Sequence, residues 1–267
     1  MDGRDGRTLI ALGFVSIAIL FLIYARIGNA EITPAALPSI ERLGVAFYVM
    51  LILALGAVSY GFYLYHRHKV QASKDDSWSI IAQITWSRKS RRIFAATAIG
   101  YGIFFSLTSG ILVYQPDVTF SYHYNVKVPS AQIAPCCGEV GYVPKFIFYM
   151  TEHLGMQVIP INLVLQIAVS YLVGLNAAIA ANAFTILKKG AGMGSVAAAT
   201  GLFIACPTCA GTFVSTFVSA SGAVAFTLAV TQLQTLFIAI SIPLLIFTPI
   251  IMVKKIKSSG WSCKVES

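Results

Sequence analysis

Two pairs of closely spaced cysteines provide the reactive side chains of this sequence. Cys206 and Cys209 belong to a Cys-Pro-Thr-Cys segment inside a long apolar stretch, and Cys136 and Cys137 are adjacent within a polar stretch. Cysteines three positions apart lie on the same face of a helix, so Cys206 and Cys209 can close a disulfide or share a soft metal ion. Pro207 suits the first turn of a helix, where the helix dipole favours a thiolate. We therefore predict that Cys206 is the reactive thiol and Cys209 its partner.

The same cysteines have two other interpretations. Cysteine packs well as a small hydrophobic residue, and the glycines and alanines around Cys206 are typical of helices that approach closely. Alternatively, thiolate and imidazole ligands suit copper or zinc, so Cys206 and Cys209 are candidate metal ligands together with His123 and His153. The remaining cysteine, Cys263, lies near the C-terminus and is predicted to stay reduced.

The composition places these residues in a membrane protein. Of the 267 residues, 57% are hydrophobic and 11% are charged, whereas a soluble protein carries about 25% charged residues. Long apolar runs separated by short polar stretches predict an all-α polytopic protein, with a single integral membrane domain over residues 1–267. The six predicted transmembrane helices cover about 9–27, 43–65, 93–114, 160–187, 194–219 and 223–252.

The basic residues indicate the orientation of these helices. The net charge is +9, and all but four of the 19 Lys and Arg residues fall on one side of the membrane if the chain starts inside. Cytoplasmic loops are enriched in Lys and Arg, so we expect a multi-pass protein of the plasma (cytoplasmic) membrane with both termini cytoplasmic. The same enrichment explains the positive charge, and no nucleic-acid partner is predicted. The four exceptions are Arg26, Arg42, Lys127 and Lys145.

Two segments between the predicted spans are expected at the membrane surfaces. Residues 115–145 are predicted to be a polar outer loop. The apolar stretch 144–158 is predicted to be an interfacial helix that begins with a proline. On the inner side, Ser77 is a candidate cap for a short helix that carries Trp78 and Trp86.

The depth of the buried thiols follows from helix geometry. Cys206 comes 12 residues after Gly194, where the fifth predicted span begins, which corresponds to roughly 18 Å along a helix. Cys206 would then lie past the middle of the membrane, in its outer half. The predicted outer loop with Cys136 and Cys137 borders the same half. Polar residues inside the spans are predicted to form hydrogen bonds between helices rather than a substrate path; they are Asn176, Gln232 and Gln234.

The arrangement of the cysteines resembles that of two enzyme groups, the vitamin K epoxide reductases and the bacterial quinone-linked disulfide oxidases. In that resemblance Cys206 and Cys209 correspond to the membrane pair that reacts with a quinone, and Cys136 and Cys137 to the loop pair. Those families have fewer spans, and their loop cysteines are usually spaced. The CPTCAG stretch looks like small archaeal membrane proteins, a resemblance that points to copper-dependent ammonia monooxygenase complexes.

These observations favour a membrane thiol–disulfide relay as the function. The catalytic residues are then Cys206, Cys209, Cys136 and Cys137, with quinone as the implied cofactor and the lipid bilayer and an extracytoplasmic thiol protein as partners. The alternative is a non-catalytic subunit of a larger membrane complex or a protein that handles copper.

Overall fold

The computed structural model describes residues 3–28, 37–72, 76–134, 140–187 and 242–254. These residues are mostly helical and include one small antiparallel sheet. The chain divides into two compact units, of which unit 1 comprises 1–68 with 103–167 and unit 2 comprises 69–102 with 168–267. The helices are α1 (Gly3–Gly28), α2 (Leu37–Ala72), α3 (Ser77–Trp86), α4 (Arg88–Thr108), α5 (Phe120–His123), α6 (Pro160–Leu187) and α7 (Ile242–Lys254), and the strands are β1 (Leu112–Tyr114), β2 (Ser130–Ala134), β3 (Lys145–Tyr149) and β4 (Leu154–Val158).

Three of the described helices are long and apolar enough to cross a membrane. They are Asp5–Arg26 in α1, Pro38–Gln71 in α2 and Pro160–Asn182 in α6. Only 17% of the most apolar part of α1 is buried inside the protein. Apolar surface of that extent belongs in lipid rather than in water, so the prediction of a membrane protein with helices in these three regions is confirmed.

The other predicted spans have different outcomes. The third, 93–114, is shorter than predicted, because α4 ends at Thr108 and residues 112–114 form β1. Because its first turn is cationic, α4 is not one of the three helices that are apolar enough to cross a membrane. The fifth, 194–219, lies outside the described residues, and only 242–254 of the region around the sixth span are described.

Helices α1 and α2 pack in opposite directions in unit 1. The guanidinium carbon of Arg7, near the start of α1, lies 5.5 Å from the ring centre of Tyr65, near the end of α2. A Cβ atom on Gly6 would be 3.0 Å from the carbonyl oxygen of Gly61, so a side chain at this position would require the two backbones to move slightly apart. At the other end, Tyr24 and Phe47 make an edge-to-face contact 5.1 Å apart.

The four strands form a sheet in the order β1-β4-β3-β2, and neighbouring strands are antiparallel. Strands β3 and β4 form a hairpin in which Phe146 pairs with Val158 and Tyr149 with Gly155. Strand β2 pairs with β3 from Ser130 opposite Tyr149 to Ala134 opposite Lys145.

The sheet corrects two predictions. The fold is not all-α, and the interfacial helix over 144–158 is wrong, because these residues form β3, a turn and β4. An apolar stretch of this length is compatible with either structure, and aromatic and β-branched residues such as Phe146, Ile147 and Phe148 favour a strand. Gly155 also fits the strand, since a Cβ atom there would lie 3.2 Å from the ring of Phe120.

In unit 2, the short helix α3 packs its apolar residues against other helices of the protein. Ile80, Ile81 and Ile84 are buried in a cluster with Ile179 of α6 and Val253 of α7. The predicted helix is therefore confirmed, but its apolar side faces protein. The N-cap residue of α3 is Asp76 rather than Ser77, and the Asp76 side chain forms no capping hydrogen bond.

An asparagine joins α6 to α7. The Asn176 side-chain amide donates 2.8 Å to the Leu172 carbonyl of its own helix and 2.9 Å to the Leu245 carbonyl of α7. In a regular helix the residue four positions after Leu245 would supply that donor, but this residue is Pro249, which has no N–H. Asn176 thus satisfies the carbonyl that the proline leaves without its helical partner, which confirms the predicted hydrogen bond between helices.

Candidate functional site

The segment that carries Cys136 and Cys137 is the connection between β2 and β3. Its two ends are fixed by the pairing of Ala134 with Lys145. On its return side, the Gly141 carbonyl accepts a hydrogen bond of 2.9 Å from the backbone N–H of Ile161 in the first turn of α6. Gly141, which follows residues 135–139 in the chain, is therefore held at the start of α6.

A tyrosine on α2 anchors the same end of the sheet. The Tyr48 hydroxyl lies 2.7 Å from the carbonyl oxygens of Pro144 and Val158, and it accepts a hydrogen bond of 3.2 Å from the Phe146 N–H. Its single proton serves one of the two carbonyls at a time. Gly44, one turn before Tyr48, leaves space for β2, since a Cβ atom there would be 2.8 Å from the Ile133 side chain.

Helix α5 packs on the turn between β3 and β4. The backbone N–H groups of Phe120 and Ser121 donate to the carbonyl oxygen and the carboxylate of Glu152, at 2.9 and 3.0 Å. The Ser121 N–H stabilises the charged carboxylate, which lowers the pKa of Glu152 below its ordinary value of 4.5. Glu152 is thus an acceptor that orients α5, and this contact gives it a structural role.

The two candidate histidines lie on this α5–turn assembly. His153 Nδ1 is 3.0 Å from the Val118 carbonyl oxygen, and because a carbonyl only accepts, Nδ1 carries the hydrogen. In this tautomer Nε2 is the acceptor atom, the arrangement that metal-binding histidines use. His123 is exposed, and its ring makes an edge-to-face contact with Tyr124 at 4.9 Å.

The histidines do not form a metal site with other described residues. Across the described ranges, no group of three His, Cys, Asp or Glu side chains is placed to hold a metal ion. The metal interpretation therefore depends on the cysteines. All four predicted catalytic residues, Cys136, Cys137, Cys206 and Cys209, lie outside the described residues, as do Cys263, Gln232 and Gln234.

Three aromatic side chains pack against one another in the sheet region, two of them buried. Phe120 lies 5.3 Å from Tyr149 and 5.9 Å from Tyr124, measured between ring centres. Burial raises the pKa of the Tyr149 hydroxyl, and the Gln132 amide, which donates to that hydroxyl at 3.2 Å, partly offsets the shift. Tyr149 therefore stays protonated at neutral pH and packs as a neutral aromatic residue.

The roles of Tyr48, Ser90 and Asn182 were not predicted from the sequence. Asn182 donates 2.6 Å to Ser90 Oγ, which joins the end of α6 to the start of α4. No local pattern marks these three residues, because their partners are distant in the sequence. By contrast, Pro249 was a usable signal for Asn176, since a proline inside a helix leaves one carbonyl to be satisfied elsewhere.

The chain matches no protein-family model, no curated protein and no solved structure.

Proposed function

We propose that this chain is a membrane thiol–disulfide relay whose inner reactive pair is Cys206–Cys209 and whose outer exchange pair is Cys136–Cys137. The observation that carries the proposal is the anchoring of the β2–β3 connection at the ends of membrane helices. Cys136 follows Ala134 by two positions, and chain geometry limits the separation of their Cα atoms to roughly 7 Å. This limit supports an outer thiol pair close to the membrane surface.

The packing of unit 1 supports placing the end of α1, the start of α2 and the start of α6 on the same side of the membrane. Val143, just before β3, is buried with Ile17 and Tyr24 of α1 and Phe47 of α2. These residues lie toward the end of α1 and the start of α2, and the start of α6 adjoins Gly141. On this basis we place the sheet on the outer side of a protein with six spans and two cytoplasmic termini in the plasma membrane.

The proposed chemistry is a pair of thiol–disulfide exchanges. An outer cysteine thiolate attacks Cys206 of the Cys206–Cys209 disulfide, forms a mixed disulfide with Cys206 and releases the Cys209 thiolate. A thiolate of the extracytoplasmic thiol protein then attacks the outer cysteine, forms a disulfide with it and releases the Cys206 thiolate. Two electrons have passed from the outer cysteine and the thiol protein to the Cys206–Cys209 pair, and a membrane quinone takes them up with two protons as it becomes a quinol.

Thiol trapping in native membranes tests the relay. In the Cys209→Ser variant no neighbouring thiol can displace an outer cysteine from Cys206, so we expect a cross-link between Cys206 and Cys136 or Cys137 to accumulate under oxidising conditions, as identified by peptide mass mapping. Cys263→Ser is the matched control and should leave the pattern of the parent chain unchanged. If Cys206 and Cys209 stay reduced under every oxidant and no such cross-link forms, the relay is wrong.

The orientation of His153 favours a second candidate, in which the chain holds copper as a handling protein or as a non-catalytic subunit of a membrane complex. Its Nδ1–H is engaged by a backbone carbonyl, so Nε2 is the nitrogen available for a metal. Metal analysis of the purified chain separates the candidates. Stoichiometric copper that is lost in both Cys206→Ser and His153→Gln supports metal handling, whereas metal-free protein with trapped disulfides supports the relay.

A further inference from the structure

The start of α4 presents a compact group of positive charges. Arg88, Lys89, Arg91 and Arg92 are all exposed, and the first turn of the helix contains no acidic residue. The positive end of the helix dipole lies at the same place, so the cations and the dipole repel one another. An anion close to these residues would relieve that repulsion.

The turn that carries these cations is held in a defined conformation. Ser87 ends α3 and begins α4, and its Oγ accepts a hydrogen bond of 3.3 Å from the Ser90 N–H. Ser90 is fully buried, and its hydroxyl accepts the hydrogen bond from Asn182 of α6. The described acid that precedes the turn, Asp76, is already paired with Lys69 at 2.8 Å.

The exposed side of α4 changes from cationic to apolar along the helix. After Arg92 it continues with Ile99, Ile103 and Leu107, which are 64%, 59% and 55% exposed. These positions recur every four residues and so lie on one side of the helix. From Arg92 to Leu107 the helix rises roughly 22 Å, which exceeds the ~15 Å of one half of a bilayer core.

Helix α3, which directly precedes the cations, carries a tryptophan near each of its ends. Trp78 and Trp86 of α3 are 42% and 37% exposed, while the isoleucines of the same helix are buried in the protein. Exposed tryptophans are typical of the boundary between hydrocarbon and headgroups. Their exposure supports a position at headgroup level for the cations that follow α3.

We propose that this surface, the α4 lipid site, binds an anionic phospholipid, with its phosphate at Arg88, Lys89, Arg91 and Arg92 and an acyl chain along Ile99, Ile103 and Leu107. The charge selects an anionic headgroup, and the apolar continuation selects a lipid over a soluble phosphate. The site does not depend on the thiol chemistry.

The test uses the full chain in nanodiscs that contain equal amounts of phosphatidylglycerol and phosphatidylcholine, with retained lipids counted by native mass spectrometry. We expect enrichment of phosphatidylglycerol by the parent chain. The variant Arg88→Gln/Lys89→Gln/Arg91→Gln/Arg92→Gln should lose it at least roughly tenfold, since each cation near an anionic headgroup contributes about fivefold. The matched control Arg26→Gln/Arg42→Gln/Lys127→Gln/Lys145→Gln has the same net charge and should keep it.

Two further arms decide the outcome. Inorganic phosphate should not raise the melting temperature of the chain in phosphatidylcholine, whereas phosphatidylglycerol should; equal stabilisation by phosphate overturns the lipid site. The pair Arg91→Gln/Arg92→Gln replaces the fourfold variant if that variant does not fold. Equal enrichment of phosphatidylglycerol by the pair, the control and the parent also overturns the proposal.

Discussion

Single polar side chains complete the backbone hydrogen bonding at several positions of this chain. The Asn176 amide donates to the Leu245 carbonyl, which Pro249 leaves without a helical donor. The Tyr48 hydroxyl forms hydrogen bonds with the backbone where β3 begins and β4 ends. In hydrocarbon no water is present to replace such a partner. The loss of one of these side chains therefore leaves a buried carbonyl or N–H group without a partner, which costs about 1–3 kcal/mol.

The link between Asn176 and Pro249 gives a prediction about coupling. Asn176→Ala should destabilise the folded protein by about 1–2 kcal/mol, because the Leu245 carbonyl loses its donor. In the Pro249→Ala background the helix supplies its own N–H, so the same change should cost less, with a coupling energy of about 0.6–1.7 kcal/mol. Reversible unfolding in mixed micelles measures the four proteins of the cycle. Additive effects would contradict this account of the pair.

The contact between Glu152 and Ser121 gives a prediction about pH. The folded pKa of Glu152 lies below 4.5, so the stabilisation is complete above pH 4.5 and is lost as the pH falls through the folded pKa. The hydrogen-exchange protection of the Ser121 amide should fall in that range, and in Glu152→Gln it should not change with pH. The Met150 amide, which donates to the Leu154 carbonyl, is the internal control. Parallel loss of protection at both amides would instead indicate general acid unfolding.

At the scale of elements, close helix contacts depend on glycine at particular positions. A Cβ atom on Gly174 of α6 would lie 2.9 Å from the Phe94 carbonyl oxygen and 3.0 Å from the Ala98 Cβ atom of α4. The same atom on Gly100 of α4 would meet nothing within 4 Å. Gly174 thus permits a close helix contact, whereas no neighbouring atom favours glycine over a larger residue at Gly100.

Alanine substitutions separate these two cases. Gly174→Ala should destabilise the protein by about 1–3 kcal/mol, because the backbone of α4 must move away. Gly100→Ala should stabilise it by about 0.5–1 kcal/mol, since alanine favours the helix and has open space. Unfolding free energies in the same micelles provide the comparison. A stabilising Gly174→Ala would show that α4 and α6 are not in close contact at this point.

At the scale of the whole molecule, the distribution of charge predicts which segments share a side of the membrane. The sheet region carries Tyr122, which is 91% exposed, and α7 ends at the exposed residue Lys254. The positive-inside rule assigns the first to the outer side and the second to the cytoplasm. The relay requires this outer placement of the sheet, because disulfides form and persist outside the cytoplasm.

Labelling with a membrane-impermeant maleimide tests this assignment. In a chain with all five cysteines changed to serine, Tyr122→Cys should react in intact cells, and Lys254→Cys should react only after the membrane is opened. A third variant, Lys127→Cys, lies in the sheet region and should follow Tyr122→Cys. Labelling of the Tyr122 and Lys254 positions from the same side would remove the basis of the proposed topology.

The sequence alone determined the membrane character, the apolar helices near 9–27, 43–65 and 160–187 and the short helix with two tryptophans, because apolar length and helix periodicity are local properties of the chain. Only the tertiary structure decided that 145–158 pair as strands and that α3 faces protein. It alone also identified Leu245 as the partner of Asn176. Each of these three features depends on a residue far along the chain, and a sequence pattern does not show which distant backbone groups lie within hydrogen-bonding distance.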